Sequence, residues 1–152
     1  MAGYSGTPLA KKLGIKDGFR VAFVNAPGGF DRTLDGMPAG ASVASAPRAP
    51  MDLIVLFVRS TKELRGAFAR HAKVLAPAGM LWVAWPKRAS GVATDLDENV
   101  VRAIGPAAGL VDVKVCAIDA TWSGLKFVVR LKDRPASRAA QAAPEKRARR
   151  EP

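Results

Sequence analysis

Residues 81–96 read LWVAWPKRASGVATDL, so an apolar segment runs directly into a cluster of charge. The segment MLWVAW, residues 80–85, is apolar on both faces, which is typical of a strand covered by helices on both sides of a parallel sheet. The strand is expected to end at Trp85, and two cations, Lys87 and Arg88, follow it. Because open α/β sheets bind ligands just outside the carboxyl ends of their strands, the stretch predicts a buried strand and a candidate binding loop.

Further strands are predicted on both sides of this one in the sequence. DLIVLFV, residues 52–58, is again apolar on both faces, and RVAFVN, residues 20–25, is a β-branched and aromatic run that enters a Pro-Gly-Gly turn. ASVASA, residues 41–46, indicates a weaker strand. LVDVKVCAID, residues 110–119, and LKFVVRL, residues 125–131, flank the loop ATWSG, which predicts a closing antiparallel hairpin.

Helical patterns separate the predicted strands. Ser60 and Glu63 have the spacing of a capping box, and apolar residues at helical spacing follow as far as Leu75. Asp95 and Glu98 repeat the capping-box spacing before a second helix. The alternation predicts an α/β fold, namely a reduced Rossmann-like, doubly wound, mostly parallel sheet of about six strands with a C-terminal antiparallel hairpin.

The chain of 152 residues is long enough for one compact domain and too short for two ordinary ones. We therefore expect a single Rossmann-like α/β domain over residues 1–131. Residues 132–152 contain seven Lys or Arg, three Asp or Glu and no large apolar residue. Such a segment cannot bury enough surface to offset the entropy of ordering it, so we predict a disordered basic tail.

Composition restricts the partners and the cellular location. The formal net charge of +11 favours encounters with phosphates, nucleic acid and acidic proteins without specifying any of them. No apolar run approaches the length of a membrane span, and the first residues lack the apolar middle of a signal peptide, so we expect a cytoplasmic protein with no membrane contact. Cys116 and His71 are the only residues of their types, which leaves no plausible zinc or other structural metal site.

The loops that follow the predicted strands define a candidate ligand-binding site at one edge of the sheet. We expect Ser60 and Thr61, which follow the third strand, to lie near it. The candidate ligand-binding residues are Asn25, Gly28, Gly29, Arg59, Lys87, Arg88, Ser90, Trp122 and Ser123.

Each group of candidates also has a purely structural interpretation. Lys87 and Arg88 either bind a phosphate or carboxylate or belong to a solvated loop. The Pro-Gly-Gly turn either lets backbone amides approach an anion or is only a turn. Trp122 lies near the tip of the hairpin, where it is either an exposed contact residue or folded back onto the core.

The same edge offers no pair of catalytic acid and base. Ser90 has no histidine to activate it, because His71 is expected at the opposite edge of the sheet. Asp95 is expected to cap a helix, and Cys116 to be a small buried hydrophobic residue in the middle of a strand. The sequence assigns no cofactor to this edge.

The order of elements resembles the second half of class I S-adenosylmethionine-dependent methyltransferases, in the junction LAPAGMLWV, residues 75–83, and in the closing hairpin. The resemblance implies a methyltransferase-like fold with a cofactor loop after the first strand. In that loop the family has G-x-G-x-G, whereas NAPGGF has Gly28 and Gly29. The family also holds the cofactor ribose with an acidic residue after the second strand, whereas ASVASAPR, residues 41–48, contains none.

A second resemblance covers nearly all of residues 3–131. Four segments are similar to the signature segments of a family of small bacterial proteins, domain of unknown function 3052. They are GYSGTPLAKKLGIK, DLIVLFV, LWVAWPKRASGVATDL and GLVDVKVCAIDATWSGLKFVVR. The resemblance implies a cytoplasmic, single-domain, Rossmann-like protein and brings no activity with it.

Three functional hypotheses follow. The first is a non-catalytic module that binds an anionic small molecule or an acidic partner at the carboxyl edge of the sheet, because cations lie there without an acid–base pair. The second is a Rossmann-like enzyme, either a reduced methyltransferase or one that uses a nucleotide. The third is a basic protein that contacts nucleic acid non-specifically through its tail.

Overall fold

The computed structural model describes residues 7–130. Within this range the chain forms six strands, four α-helices and two single-turn 3-10 helices. The strands are β1 (Arg20–Val24), β2 (Ser42–Val43), β3 (Met51–Phe57), β4 (Leu75–Pro86), β5 (Leu110–Ala117) and β6 (Trp122–Val129). The α-helices are α1 (Leu9–Leu13), α2 (Phe30–Thr33), α3 (Thr61–Ala72) and α4 (Glu98–Ile104).

The six strands form one sheet in the order β2-β1-β3-β4-β6-β5. β1 pairs in parallel with β2 and β3, and β3 pairs in parallel with β4. β6 runs antiparallel to both of its neighbours, so the last strand of the chain lies between β4 and β5. The predicted fold class is confirmed: a doubly wound, mostly parallel sheet that closes with an antiparallel hairpin.

Helices cover both faces of the sheet and divide the core into two parts. On one face, Leu64 of α3 and Val101 of α4 pack against the buried residues of the central strands. On the other face, Leu13 of α1 and Phe30 of α2 do the same. The buried Trp82 donates from Nε1 to the carbonyl oxygen of Leu13 at 2.8 Å, which gives its indole N–H the partner that burial requires.

The start of α3 agrees with its predicted cap, whereas its end does not agree with the predicted boundary. Ser60 Oγ accepts a hydrogen bond from the N–H of Glu63 at 3.1 Å, and Glu63 Oε1 accepts one from the N–H of Arg59 at 2.6 Å. The helix was expected to continue to Leu75, but it ends at Ala72. Leu75 instead begins β4, because it pairs with the first residue of β3.

Two further boundaries correct the sequence prediction. α4 begins at Glu98, and its cap is Asp97, whose Oδ1 accepts a hydrogen bond from the N–H of Val100 at 2.9 Å. The prediction that Asp95 caps this helix was wrong. β6 begins at Trp122, earlier than predicted, because Trp122 pairs with the last residue of β4.

The predicted basic tail, residues 132–152, lies outside the described residues, so its disorder and the proposed domain boundary stay predictions. Within the described part of the chain, no helix combines the length and the apolar character that crossing a bilayer requires.

Candidate functional site

A topological switch point lies at the carboxyl edge of the sheet, between β1 and β3. The chain leaves β1 towards α2 on one face of the sheet and leaves β3 towards α3 on the other face. Connections that leave neighbouring strands in opposite directions open a crevice between them, which is the usual binding position in open α/β sheets. Residues 25–29 and residues 58–60 are the connections that border this crevice.

The turn between β1 and α2 leaves open space beside the end of β1. Asn25 has a φ of 59°, a left-handed conformation that Asn adopts more readily than most residues with a side chain. Gly29 has a φ of 84°. A Cβ atom added to Gly28 would meet no atom within 4 Å. Asn25, Gly28 and Gly29 are all exposed, so a ligand could approach the backbone of this turn.

Four aromatic rings form a row beneath the same edge: Phe23 on β1, Phe30 on α2, Phe57 on β3 and Trp122 on β6. Successive ring centroids lie 5.2, 5.0 and 5.1 Å apart. The tilted and edge-to-face contacts at these distances are favourable for aromatic pairs. Phe23, at one end of the row, is partly exposed, while the other three rings are buried. The four rings thus form a packed apolar layer beneath this edge, and Phe23 is its partly exposed end.

A cleft of about 330 Å³ adjoins Phe23 at this open end of the row, and we call it the β1 cleft. It is lined by Phe23, Ala26, Pro27, Phe30, Asp31, Leu34 and Val43. Asp31 is the one ionisable residue in this lining, and its side chain has no hydrogen-bond or ion-pair partner in the described part of the chain. The volume is at the lower end of the range for small-molecule sites.

Arg59 lies at the opposite end of the aromatic row. Its guanidinium carbon is 5.3 Å from the centroid of a Trp122 ring, a cation–π distance. Trp122 is 3% exposed, so it is folded back onto the core and is not an exposed contact residue. Ser123 pairs with Trp85 of β4 and Ala117 of β5 and is partly buried.

The start of α3 is occupied by the protein's own side chains. Asp95 Oδ1 accepts a hydrogen bond from the N–H of Thr61 at 2.7 Å, and Ser60 caps the helix through the N–H of Glu63. Thr94 Oγ1 donates to the carbonyl oxygen of Arg59 at 2.7 Å. An anion site at a helix N-terminus needs free N–H groups. Ser60 and Thr61 therefore have a structural role here.

The loop after β4 is held by its own hydrogen bonds. The N–H of Lys87 donates to the carbonyl oxygen of Thr121 at 2.7 Å. Ser90 Oγ donates to the carbonyl oxygen of Lys87 at 2.6 Å and accepts from the N–H of Val92 at 3.1 Å, so this hydroxyl is used within the loop. The charged ends of Lys87 and Arg88 have no hydrogen-bond or ion-pair partner in the described part of the chain.

A second cleft, of about 400 Å³, adjoins this loop, and we call it the β4–α4 cleft. Its lining residues are Arg88, Gly91, Val92, Ala93, Thr94, Asp95, Leu96 and Asp97. The carboxylates of Asp95 and Asp97 already accept hydrogen bonds from backbone N–H groups of α3 and α4. Arg88 is therefore the charged group of this lining that is available to an anion.

The structure divides most of the predicted site residues into two groups. Arg59 follows β3, which lies between β1 and β4, whereas Trp122 and Ser123 belong to β6 on the other side of β4. Asn25, Gly28 and Gly29 border the end of β1. Lys87, Arg88 and Ser90 belong to the loop after β4. The β1 cleft was not predicted from the sequence, and the signal that could have indicated it is Phe30, an aromatic residue directly after the Gly-Gly turn.

Comparison with solved structures identifies the fold. The chain is similar to a SAM-dependent methyltransferase from Aquifex aeolicus, with a TM-score of 0.59 and 17% identity over 80% of this chain and 88% of that one. It is also similar to the magnesium protoporphyrin IX methyltransferase of Synechocystis PCC 6803 with bound SAM, with a TM-score of 0.55 and 9% identity over 80% of this chain and 74% of that one. The chain thus has the Rossmann-like fold of S-adenosylmethionine-dependent methyltransferases.

Sequence comparison adds no relative: no protein-family model matches the chain, and no curated protein matches it. The resemblance to domain of unknown function 3052 accordingly stays a prediction.

The residues of the β1 cleft fit the nucleoside part of S-adenosylmethionine, the cofactor that this fold implies. Aromatic and proline surfaces suit a planar base, and a carboxylate such as that of Asp31 can accept hydrogen bonds from ribose hydroxyls. The end of β2 offers no such group, because residues 44–48 are Ala, Ser, Ala, Pro and Arg. The ribose contact would therefore come from α2 in this chain.

Proposed function

We propose that this protein is a Rossmann-like enzyme that holds a nucleoside-containing cofactor, S-adenosylmethionine or a nucleotide, in the β1 cleft. The observation that carries the proposal is the position of that cleft. It opens beside the end of β1, on the side of β1 that faces β2, and it borders the turn that also leads to the switch point. This class of fold binds its ligands at the same carboxyl edge of the sheet. Asn25, Gly28 and Gly29 would present the backbone of the adjoining turn to the ligand.

An enzyme of this kind does not require an acid–base pair at the same edge. A group transfer between two bound molecules gains much of its rate from holding the reacting atoms close together in the right orientation. In the described part of the chain, the carboxyl edge offers the β1 cleft for the cofactor and the β4–α4 cleft for a second molecule. Arg88 would be the group of the second cleft that binds an anionic part of a substrate.

The test is a thermal-shift and calorimetric titration of the full chain with S-adenosylmethionine, S-adenosylhomocysteine, adenosine and ATP. A ligand at a hundred times its dissociation constant should add about 2.7 kcal/mol to the free energy of unfolding. Gly28→Val places methyl groups in the open space beside the turn, where no protein atom lies within 4 Å of the added Cβ. The variant should fold normally and bind the cofactor at least tenfold more weakly.

Asp31→Asn tests the proposed ribose contact, and Asp35→Asn is its matched control, since Asp35 is an exposed carboxylate outside the lining of the cleft. Loss of a hydrogen bond to a charged group should weaken binding by about tenfold to a hundredfold, while the control should leave it unchanged. Failure of every nucleoside ligand to stabilise the protein would contradict the proposal. So would binding that is insensitive to both Gly28→Val and Asp31→Asn.

A second candidate function is the non-catalytic module that binds an anionic small molecule or an acidic partner. The observation that favours it is the pair Lys87 and Arg88, whose charged ends have no partner in the described part of the chain and which lie beside the β4–α4 cleft. The two candidates use different clefts. A substitution in one cleft should therefore weaken binding at that cleft alone, which distinguishes the two candidate functions.

Membership in the family of domain of unknown function 3052 and a cytoplasmic location are also parts of this proposal. The first is supported by the four quoted segments, three of which supply β3, the β4–α4 loop and the closing hairpin. The second is supported by the single cysteine, which cannot form a disulfide within the chain. Fractionation of cells that express the full chain would test the location.

A further inference from the structure

The β5–β6 hairpin places two lysines on the sheet face that α1 covers. Lys114 and Lys126 lie directly opposite each other in the antiparallel pair, and Cys116 lies opposite Gly124 further along. Residues opposite each other in a strand pair, and residues two apart on one strand, point to the same face. A Cβ atom on Gly124 would contact Trp82, which is buried on the α1 side, so both lysines belong to that side.

α1 and the turn after it add two further lysines. Lys12 Nζ donates to the carbonyl oxygen of Ala117 at 2.9 Å, which holds it beside β5. Lys16 directly follows Ile15, which is buried in the core on the α1 side. Burial lowers the pKa of Lys126, and the charges of Lys114 and Lys16 lower it further. We call Lys12, Lys16, Lys114 and Lys126 the lysine face.

The acidic residues nearest in sequence to these lysines are bonded elsewhere. Asp17 Oδ1 accepts a hydrogen bond from the N–H of Gly40 at 2.7 Å. Asp112 forms a salt bridge with Arg102 at 2.9 Å. Asp119 accepts two hydrogen bonds from the backbone of its own turn, each at 2.8 Å. None of these carboxylates is therefore directed to the lysine face.

The positive charges of Lys16, Lys114 and Lys126 are consequently uncompensated within the described part of the chain. Lys16, Lys114 and Lys126 have no hydrogen-bond or ion-pair partner there. Like charges directly opposite each other in a strand pair are destabilising. An anion from outside the chain would remove that repulsion, which favours binding of one on this face.

We infer that the lysine face binds the phosphate backbone of double-stranded nucleic acid. The four lysines are distributed over the surface of the sheet, and they line neither the β1 cleft nor the β4–α4 cleft. Charges spread in this way suit a row of successive phosphates better than one compact small anion. No aromatic side chain is exposed between residues 7 and 130, so the surface lacks the stacking platforms that bind single strands. The surface is therefore suited to duplex contacts through phosphates alone.

Charge disfavours a second copy of the chain as the occupant, because it carries the same net charge of +11 and would be repelled. A polyanion instead gains from every cation on this surface and from the basic segment beyond it.

The experiment measures binding of the full chain to a short, fluorescently labelled, mixed-sequence duplex DNA by anisotropy over a range of salt concentrations. The double variant Lys114→Gln, Lys126→Gln removes two charges from the lysine face and keeps side chains that point in the same direction. The plot of log affinity against log salt should become less steep by roughly 2, about one for each phosphate that is no longer neutralised. Lys62→Gln with Lys73→Gln removes the same charge from α3 and its C-terminal cap, on the opposite face, and should leave the slope nearly unchanged.

An equal decrease of slope in the two double variants would overturn the inference, because it would mean that net charge alone drives binding. Tighter binding of a single-stranded oligonucleotide of the same length, or of polyglutamate, would overturn the choice of a duplex partner. If the double variant melts early, Lys16→Gln with Lys114→Gln replaces it, since both of these side chains are exposed. Affinity for nucleoside ligands should be the same in all these variants, which separates this surface from the β1 cleft.

Discussion

Asp95 Oδ1 accepts a hydrogen bond from the backbone N–H of Thr61 at 2.7 Å, although 34 residues separate the two in the sequence. Thr94, the preceding residue, donates from Oγ1 to the carbonyl oxygen of Arg59 at 2.7 Å. These two bonds attach the β4–α4 loop to the connection between β3 and α3. They fix the relative positions of two loops at the carboxyl edge. The Asp95 carboxylate also occupies the place at the start of α3 where an anion could otherwise bind.

Replacing Asp95 with Ala should lower the free energy of unfolding by about 1 kcal/mol, the usual cost of losing a side-chain cap at a helix start. Asp95→Asn should cost less, because an amide oxygen also accepts a hydrogen bond from the N–H of Thr61. Urea unfolding of both variants beside the parent measures the difference. Asp97→Ala, which removes the cap of α4, is a control with an expected cost of the same size. An unchanged midpoint for Asp95→Ala would mean that the hydrogen bond to Thr61 contributes nothing.

Replacing both Lys87 and Arg88 with Ala should leave stability nearly unchanged, with at most about 0.5 kcal/mol for each substitution, because their charged ends have no partner in the described part of the chain. Binding of an anionic probe such as inorganic phosphate at the β4–α4 cleft should be abolished, because each charge-assisted hydrogen bond contributes about 1.5–3 kcal/mol. Urea unfolding and calorimetry of one double variant measure both quantities. A stability loss beyond about 2 kcal/mol would show that the cations belong to a structural network and not to a site.

Two glycines should respond in opposite directions to the same substitution. Gly66 lies on the exposed side of α3 and has no atom within 4 Å of an added Cβ, so Gly66→Ala should stabilise the protein by about 0.5–1 kcal/mol. A Cβ on Gly79 would lie 2.8 Å from the carbonyl oxygen of Met51 and 3.0 Å from that of Ala76. Because these are backbone atoms that must shift, Gly79→Ala should destabilise by about 1–3 kcal/mol. Equal unfolding midpoints for the two variants would be inconsistent with the close approach of β3 and β4.

The stability of the protein should depend on Lys126 at alkaline pH. Burial, and after it the charge of Lys114, lowers the pKa of Lys126 below its ordinary value of 10.5. The folded state therefore releases this proton at a lower pH than the unfolded state does. At neutral pH the partly buried charge lowers the free energy of unfolding, and this loss is relieved as the pH approaches 10.5. As the pH rises towards 10.5, the free energy of unfolding of the parent should rise relative to that of Lys126→Gln. A difference between the two proteins that stays constant over this range would contradict the lowered pKa.

Much of the sheet could be predicted because its signals are local. The segments at 52–58 and 80–85 are almost entirely apolar, and a strand can bury both of its faces only inside a layered α/β fold. The capping pair Ser60 and Glu63 likewise depends on residues three positions apart. Patterns of this kind involve a residue and its near neighbours in the sequence, so they can be recognised before the chain is folded.

The site was predictable only at the level of the edge on which it lies. The rule that ligands bind at the carboxyl ends of parallel strands placed Asn25, Arg59 and Lys87 at one edge. It could not indicate that Ser90 bonds within its own loop or that Trp122 turns inwards. Both outcomes depend on side-chain packing that the strand pattern does not specify.

The sequence by itself determined the fold class, the order of the strands along the chain and the strands that are buried on both faces. The tertiary structure alone decided that Leu75 belongs to β4, that Asp95 bonds to the first N–H of α3 and does not cap α4, and that Phe23 and Phe30 line a cleft at the end of β1. Lys114 and Lys126 likewise come together only through the register of the hairpin. The physical reason is the same in each case: these contacts join segments that are distant in the sequence, and their free energies become available only once the sheet has assembled.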